Sequence, residues 1–178
     1  MTHEEGPRAA DGATRYLFHE VQRFRMWMFW VPIAIVTFVV WWQFVEQIVL
    51  GNPQGSEPIP DWAAWALTIV FGLGFPAFAF VVRFVTEVEP GWLIVKLYPF
   101  HTARIDLARV AEAEVREYSA LREFGGWGIR VGRSGKAYSA YGTQGVQLWL
   151  KDDSRILIGS QRTKELADAL RLAGAPVR

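Results

Sequence analysis

The hydrophobic pattern divides the chain into two long apolar runs and a later region in which apolar and polar residues alternate. The first run, Met26 to Val45, contains no charged residue, and neither does the second, Trp62 to Val82. At ~1.5 Å per helical residue, about twenty residues cover the hydrocarbon core of a bilayer. We therefore predict transmembrane helices over residues 26–50 and 62–83, joined by a periplasmic loop at 51–61. Two buried helices of a soluble protein are the alternative, which the length and lack of charge disfavour.

Tryptophan placement supports two membrane spans, because indole rings favour the interface between lipid and water. Six tryptophans lie near the ends of the runs: Trp27, Trp30, Trp41, Trp42, Trp62 and Trp65. We predict that these side chains anchor the helices at the membrane interfaces.

Basic residues flank the pair of runs and are missing between them. Arg15, Arg23 and Arg25 precede the first run, and Arg83 and Lys96 follow the second. The connecting stretch, GNPQGSEPIPD, contains neither Lys nor Arg. Because basic flanks stay on the cytoplasmic side of a membrane, we expect both termini in the cytoplasm and the loop outside.

The second run carries small residues four positions apart, at Ala64, Thr68 and Gly72. In a helix these three residues share one face, and such a stripe lets another helix approach closely. The expected partner is the first span of the same chain, and a helix of another protein is the alternative. Gly74 and Pro76 should loosen or kink this helix.

The segment before the first run is predicted to be a short amphipathic helix at the membrane interface, over residues 14–25. Its apolar residues at helical spacing are Leu17, Val21, Phe24 and Met28. A plain extension of the first transmembrane helix fits the same spacing. Residues 1–13 are expected to be disordered.

From residue 84 the apolar residues alternate with polar ones, which is typical of β-strands. A hairpin turns at Glu89-Pro90-Gly91, and further short strands follow, about seven in all. The last segment is predicted to be a helix whose buried stripe is Leu166, Ala169, Leu170 and Ala173. Residues 84–178 are therefore expected to form one α+β domain, a barrel or sandwich with a C-terminal helix.

Four segments carry a resemblance to known proteins: EVQRFR before the first run, EVREYSALREFGGWGIR, GKAYSAYGTQGVQLWLKDDSRILIGS and QRTKEL. The order of strands and terminal helix resembles the pleckstrin-homology-like (PH-like) barrel of bacterial membrane proteins. More closely, the chain from Glu20 onward is similar to a family of uncharacterised bacterial proteins with two spans and such a cytoplasmic domain. Thr163 departs from the pattern, which has proline there. The resemblance implies a bacterial cytoplasmic (inner) membrane and this fold, but no activity.

Composition and motifs narrow the possible chemistry. The 178 residues are 51% hydrophobic with a formal net charge of +1, which gives no reason to expect nucleic-acid binding. The absence of cysteine excludes disulfides and thiol chemistry. His3, His19 and His101 lack metal-ligand spacing, and no nucleophile elbow or paired-carboxylate motif is present. We therefore predict no catalytic residue, no metal and no cofactor, and a protein that is not an enzyme.

The glycine-rich segment REFGGWGIRVG precedes a predicted strand rather than a helix, which favours a turn or bulge over a nucleotide cradle. Candidate contacts for a partner or for lipid in this region are Trp127, Arg116, Arg122, Arg130 and Arg133. A solvated face of mixed charge is the alternative for these arginines. The acidic first hairpin turn argues against phosphoinositide binding.

The expected function is that of a non-catalytic accessory or scaffold subunit of a larger inner-membrane complex, whether respiratory, transport or photosynthetic. Its helices would pack in the bilayer against other integral membrane proteins, and its PH-like domain would dock on the cytoplasmic face. The alternative is a membrane-surface sensor that binds anionic lipid or a peptide through that domain. An enzyme or a small transporter is a third hypothesis, although two spans rarely form a pathway alone.

Overall fold

The computed structural model describes residues 16–24, 27–52, 58–132 and 134–178. Within these ranges the chain forms a pair of long apolar helices and a β-domain of nine strands, with two further α-helices and a short 3₁₀ helix at Leu107–Arg109. Residues 1–13, which are expected to be disordered, lie outside the described residues.

The two long helices are α1, Trp27–Val49, and α2, Asp61–Val81. At 1.5 Å per residue they are about 34 and 31 Å long, which is enough to cross a hydrocarbon core. Both contain π-helical turns, Val45–Val49 in α1 and Thr68–Gly74 in α2. Helices of this length and composition are compatible with a membrane protein, and their bounds lie within two residues of the predicted spans at all four ends.

The helices pack on each other through small residues of α2. Ala64, Thr68 and Gly72 are all buried, and they face α1. Trp41 Nε1 donates a hydrogen bond to the carbonyl oxygen of Gly72 at 3.2 Å. A Cβ atom at Gly72 would lie only 2.9 Å from the same nitrogen, so glycine allows this close approach. At the loop end, Gln47 Nε2 donates to the Ile59 carbonyl at 2.7 Å.

The nine strands form two sheets. The first sheet has the order β1-β2-β3-β4 and is antiparallel throughout, whereas the second has the order β5-β8-β9-β7-β6 with a parallel β7–β9 pair. The strands of the first sheet are β1 Phe18–Arg23, β2 Arg83–Glu89, β3 Trp92–Tyr98 and β4 His101–Asp106. Those of the second are β5 Val110–Glu117, β6 Gly128–Gly132, β7 Gly135–Ser139, β8 Gln144–Leu150 and β9 Arg155–Gly159. The short helix α3, Ala120–Phe124, and the terminal helix α4, Thr163–Leu172, complete the domain.

The segment predicted to be an interfacial helix is instead a β-strand. Together with the eight strands after the helices it gives nine, where about seven were predicted. Strand β1 pairs with β2 from Phe18 opposite Val88 to Arg23 opposite Arg83. Its side chains alternate between buried and exposed, as a strand with one face on a core requires. Both helical interpretations of this segment are wrong over residues 18–23, because pairing with a strand 60 positions further along outweighs the local helical spacing.

The two sheets enclose one main hydrophobic core, which α4 closes. Its largest fully buried side chains are Phe84, Leu93, Leu107, Leu148, Ile158, Leu166 and Leu170. The fully buried Leu157 belongs to a second, smaller cluster under α3. The predicted stripe of the terminal helix is confirmed, since Leu166, Ala169 and Leu170 are buried and Ala173 packs against the same core.

Strand β1 is also tied to the C-terminal part of the chain by buried polar side chains. The Glu20 carboxylate accepts hydrogen bonds from Ser160 Oγ at 2.6 Å and from the Gln161 backbone N–H at 3.0 Å. Gln22 Nε2 donates to the Gly159 carbonyl at 3.0 Å. Because these contacts join residues about 140 positions apart, the segment before α1 is an integral part of the β-domain.

Candidate functional site

The junction between the helices and the β-domain contains almost no connecting chain. Val82 alone separates α2 from β2, and only residues 24–26 separate β1 from α1. Because one residue spans at most ~3.6 Å, the start of β2 lies within about 7 Å of the end of α2. Trp30 Nε1 on α1 donates to the Phe24 carbonyl at 2.8 Å and braces the other connection. The helical hairpin is thus an insertion between two paired strands, and both of its ends meet the domain.

Two arginines and a tyrosine lie side by side where the first sheet meets the helices. The strand register places Arg23 opposite Arg83, and Arg83 opposite Tyr98. All three side chains are exposed, on the face of the sheet that points away from the core. The Arg83 guanidinium lies over the Tyr98 ring at 5.0 Å from its centroid. We call Arg23, Arg83 and Tyr98 the helix-proximal row.

Charge changes sign along this face of the sheet. Lys96, one row further from the helices, donates from Nζ to Glu87 Oε2 at 2.6 Å, and His19 Nδ1 lies 3.4 Å from the other oxygen. At the far end, the exposed face carries Glu89 and Asp106 on either side of Trp92. Six residues at ~3.3 Å each put these acids about 20 Å from the helix-proximal row. The face is therefore basic beside the helices and acidic at its far end.

The turn between β3 and β4 points toward the helices. Phe100 at its tip is 63% exposed, yet its ring meets Phe78 of α2 edge-to-face, with the centroids 5.6 Å apart. Arg83, Tyr98 and Phe100 therefore lie at the same end of the first sheet. They are beside the first turn of α1 and the last turn of α2, the two turns that adjoin the domain.

An apolar groove of about 430 Å³ lies between the domain ends of the two helices and this turn. We call it the junction groove; its walls include Phe29, Pro32 and Ile33 of α1, Phe75 and Phe78 of α2, and Phe100. A second cavity, of about 330 Å³, lies on the exposed face of the first sheet around Arg83, Lys96 and Tyr98. The two concavities adjoin along the chain, because Val82 and Phe100 line the groove whereas Arg83 and Tyr98 line the cavity.

Arg116, a predicted contact residue, lies on the second sheet and is engaged within the domain. Its guanidinium donates to Glu123 Oε2 at 2.8 Å and to Gln147 Oε1 at 3.1 Å. The hydrogen bond from Arg116 lowers the pKa of the Glu123 carboxyl below its usual range, with help from the Ser119 backbone N–H. The role of Arg116 in the structure is to join β5 to β8 and to α3.

Trp127, Arg122 and Arg130, three other predicted contact residues, also lie outside the first sheet that carries the helix-proximal row. Trp127, expected on an exposed loop, is half-buried and packs against the cluster beneath α3, because the glycine-rich turn folds back onto the sheet. Arg130 Nε donates to the Trp127 carbonyl at 2.9 Å, and Arg122 is exposed on α3. Arg133 lies outside the described residues.

The predicted interface tryptophans lie at both ends of the helical pair. Trp27 and Trp62 are the most exposed, at 75% and 74%. Trp41, Trp42 and Trp65 are also exposed, and Trp30 is half-buried. The indole N–H groups of Trp30 and Trp41 are held by backbone carbonyls, so these two side chains brace the helices as well as face their surroundings.

A further cavity, of about 760 Å³, opens beside the hairpin of β6 and β7. It is lined by both acidic and basic residues, and Arg109 donates a hydrogen bond to Asp152 at 2.6 Å. Hydrogen bonds from Ser154 lower the pKa of the Asp152 carboxyl, with a further contribution from Arg109. Over residues 16–24, 27–52, 58–132 and 134–178, no three His, Asp or Glu side chains form a metal-ligand cluster.

In the sequence, Arg23 and Arg83 serve only as orientation signals, 60 positions apart on either side of the two apolar runs. The local pattern did not identify the strand, since the apolar residues of FHEVQR, Phe18 and Val21, are three positions apart, and the inward-facing Glu20 and Gln22 are polar. Pairing that strand with β2 would have placed the two arginines side by side.

Comparison with known proteins gives a family but no function. A family model described as a family of unknown function (DUF6141) matches residues 10–177. No curated protein matches the chain.

Proposed function

The chain belongs to a family of unknown function, DUF6141, and we propose a role for it from its geometry. It acts as a non-catalytic accessory or scaffold subunit of a larger bacterial inner-membrane complex, whether respiratory, transport or photosynthetic. The helices pack in the bilayer beside other subunits, and the β-domain docks on the cytoplasmic face of the complex. This role requires no chemistry from the chain itself.

Insertion of the helices into a membrane is the first part of the proposal. Both helices have a mean hydropathy of 1.9, and only 11% and 22% of their most apolar windows are buried within the chain. A core helix of a soluble protein would instead be mostly covered by its own fold. Lipid or other membrane proteins would cover the exposed apolar side chains. The basic residues flanking the helical pair favour a cytoplasmic position for the β-domain and both termini.

The second part is that the β-domain is PH-like. Two sheets around a common core, closed by a C-terminal helix, support this assignment. The domain has unusual features for such a barrel, because its first strand precedes the helical pair and β7 runs parallel to β9.

The observation that carries the proposal is the pairing of β1 with β2 across the two ends of the helical hairpin. With two short connections and a six-residue strand pair, the domain cannot swing away from the helices. A sensor that searches for ligands in the cytoplasm would gain from a flexible tether. A fixed orientation instead suits a subunit that must meet a partner in the bilayer and on its surface at once.

The experiment is purification of the tagged full-length protein from its native membranes in a mild detergent, followed by mass measurement of the intact assembly. We expect a complex with other membrane subunits at fixed stoichiometry. Twelve-residue Gly-Ser insertions in both connections, after Phe24 and after Val82, should release the partner because they free the domain from the helices.

The matched control is the same insertion in the loop between the helices, at residues 53–57, which should keep the partner. Recovery of the wild-type chain alone from native membranes would contradict the proposal. Equal partner retention by the wild-type protein and the double-insertion variant would show that rigid coupling is not the basis of assembly.

A further inference from the structure

We propose that the junction groove and the helix-proximal row together bind one anionic phospholipid, with an acyl chain in the groove and the phosphate at Arg23 and Arg83. This inference rests on the proposed insertion of the helices into a membrane. It assigns a ligand to residues different from the arginines singled out in the sequence, which lie on the second sheet, on α3 or outside the described residues.

The groove matches the position and chemistry of an acyl chain. Its walls on α1 lie between Met28 and Ile33, within about 10 Å of the helix end that adjoins the domain. On α2 they extend from Phe75 to Val82, which is the corresponding end of that helix. In a bilayer, this part of the helices would lie in one leaflet, close to the lipid headgroups. The lining side chains are apolar, so a hydrocarbon chain meets no unpaired polar group there.

An apolar groove does not select one lipid, because every acyl chain in the surrounding bilayer is equally apolar. Selection must therefore come from the headgroup. Arg23 and Arg83 occupy neighbouring positions on adjacent strands, and both are exposed. Cross-strand neighbours have Cβ atoms about 5 Å apart, so two guanidinium groups can share one phosphate.

No acidic side chain competes for these arginines in the described part of the exposed face nearest the helices. The first two rows contain Arg23, Arg83, Tyr98, Val21, Val85, Lys96 and Thr102. The first acid on this face is Glu87, which is buried and already bonded to Lys96. The charge of the helix-proximal row therefore remains available to an anion.

Aromatic side chains connect the helix-proximal row to the ends of the helices. The Tyr98 ring lies against Arg83, and the exposed Phe100 connects the turn to α2. Since Val82 and Phe100 line the groove while their neighbours Arg83 and Tyr98 line the adjoining cavity, one ligand with an apolar tail and an anionic head can occupy both. A phospholipid has this construction, whereas an acidic peptide or a free phosphate would leave the groove empty.

The test is native mass spectrometry of the purified full-length protein in detergent, titrated with phosphatidylglycerol and with phosphatidylcholine of identical acyl chains. We expect one phosphatidylglycerol to be retained in preference to phosphatidylcholine. The double variant Arg23→Gln, Arg83→Gln should lose this preference, with roughly a ten- to thirtyfold weaker retention of phosphatidylglycerol. The control Arg122→Gln, Arg130→Gln removes the same charge from α3 and the second sheet and should bind like wild type.

Equal retention of the two lipids by the wild-type protein would overturn the inference, as would an equal loss in the control variant. Glycerol phosphate, which has the headgroup anion without acyl chains, should not displace the bound lipid. Displacement would show that the site recognises phosphate alone and would contradict binding of the acyl chain in the groove. Alkaline extraction of native membranes separates the two proposals. Release of the protein would refute membrane insertion itself, whereas a retained protein without lipid preference would refute only the lipid site.

Discussion

Replacing Glu20 with Ala tests whether the strand ahead of the helices stabilises the β-domain. The carboxylate is 7% exposed and accepts hydrogen bonds from Ser160 Oγ and from the Gln161 N–H. Hydrogen bonds to a charged group contribute about 1.5–3 kcal/mol each, and leaving a buried donor unpaired costs about 1–3 kcal/mol. Removing a buried carboxylate also relieves a desolvation penalty, which offsets part of this loss. We therefore expect a decrease of roughly 2–3 kcal/mol in the free energy of unfolding.

The assay is thermal unfolding of the full-length protein in detergent, followed by circular dichroism in the β-sheet region. At ~4 °C per kcal/mol, the Glu20→Ala midpoint should fall by about 8–12 °C. Glu20→Gln keeps an acceptor for the backbone donor, so its unfolding midpoint should fall by less. The control Glu114→Ala removes an exposed glutamate from β5 and should stay within about 0.5 kcal/mol of wild type. If Glu20→Ala had the same unfolding midpoint as the control variant, the proposed role of β1 in the domain would be wrong.

Two other predictions concern the helix pair and the second sheet. Gly72→Val would place side-chain atoms against Trp41 and should cost about 1–3 kcal/mol of helix-pair stability, measured by thermal unfolding, whereas Val70→Ala at an exposed position should cost little. The lowered pKa of Glu123 means that its bond to Arg116 stabilises the domain above pH 4.5 and that this contribution is lost as pH falls through the lowered pKa. Glu123→Gln should thus be less stable than wild type by about 1 kcal/mol at pH 7, and this difference should disappear as pH falls through the lowered pKa; a difference that does not change with pH would contradict this.

The long helices were predictable because their signal is local. Twenty uncharged, mostly apolar residues specify a long apolar helix without reference to any other part of the chain, so the predicted bounds of 26–50 and 62–83 lie close to Trp27–Val49 and Asp61–Val81. The hairpin at Glu89-Pro90-Gly91 was predictable for a similar reason, since Gly91 supplies the positive φ that the turn needs.

Strand β1 could not be assigned from local pattern alone. Its apolar residues, Phe18 and Val21, are three positions apart, which fits a helix, and its inward-facing Glu20 and Gln22 are polar. The strand forms because β2, which lies beyond both helices, pairs with it. The candidate site could not be predicted from local pattern either. Arg23, Arg83 and Phe100 come from three separate segments, and only the strand register and the packing of Phe100 on α2 bring them to one place.

The central claim is that the helical hairpin is inserted between paired strands, and a cross-strand disulfide tests it most directly. Val21 and Val85 are register partners on the face of the first sheet that points away from the core, and Cα atoms of such partners are ~4.5–5.5 Å apart, within the range of a disulfide. Because the natural chain has no cysteine, the Val21→Cys, Val85→Cys variant contains a single possible intramolecular pair. Val21→Cys, Thr102→Cys is the control, with β2 and β3 between its two positions.

The measurement is disulfide formation in native membranes under mild oxidation, read by mass spectrometry of the linked peptides. The structure predicts rapid and nearly complete linkage of positions 21 and 85 and none of positions 21 and 102. Failure of the first pair to link, or equal linkage of both pairs, would contradict the pairing of β1 with β2.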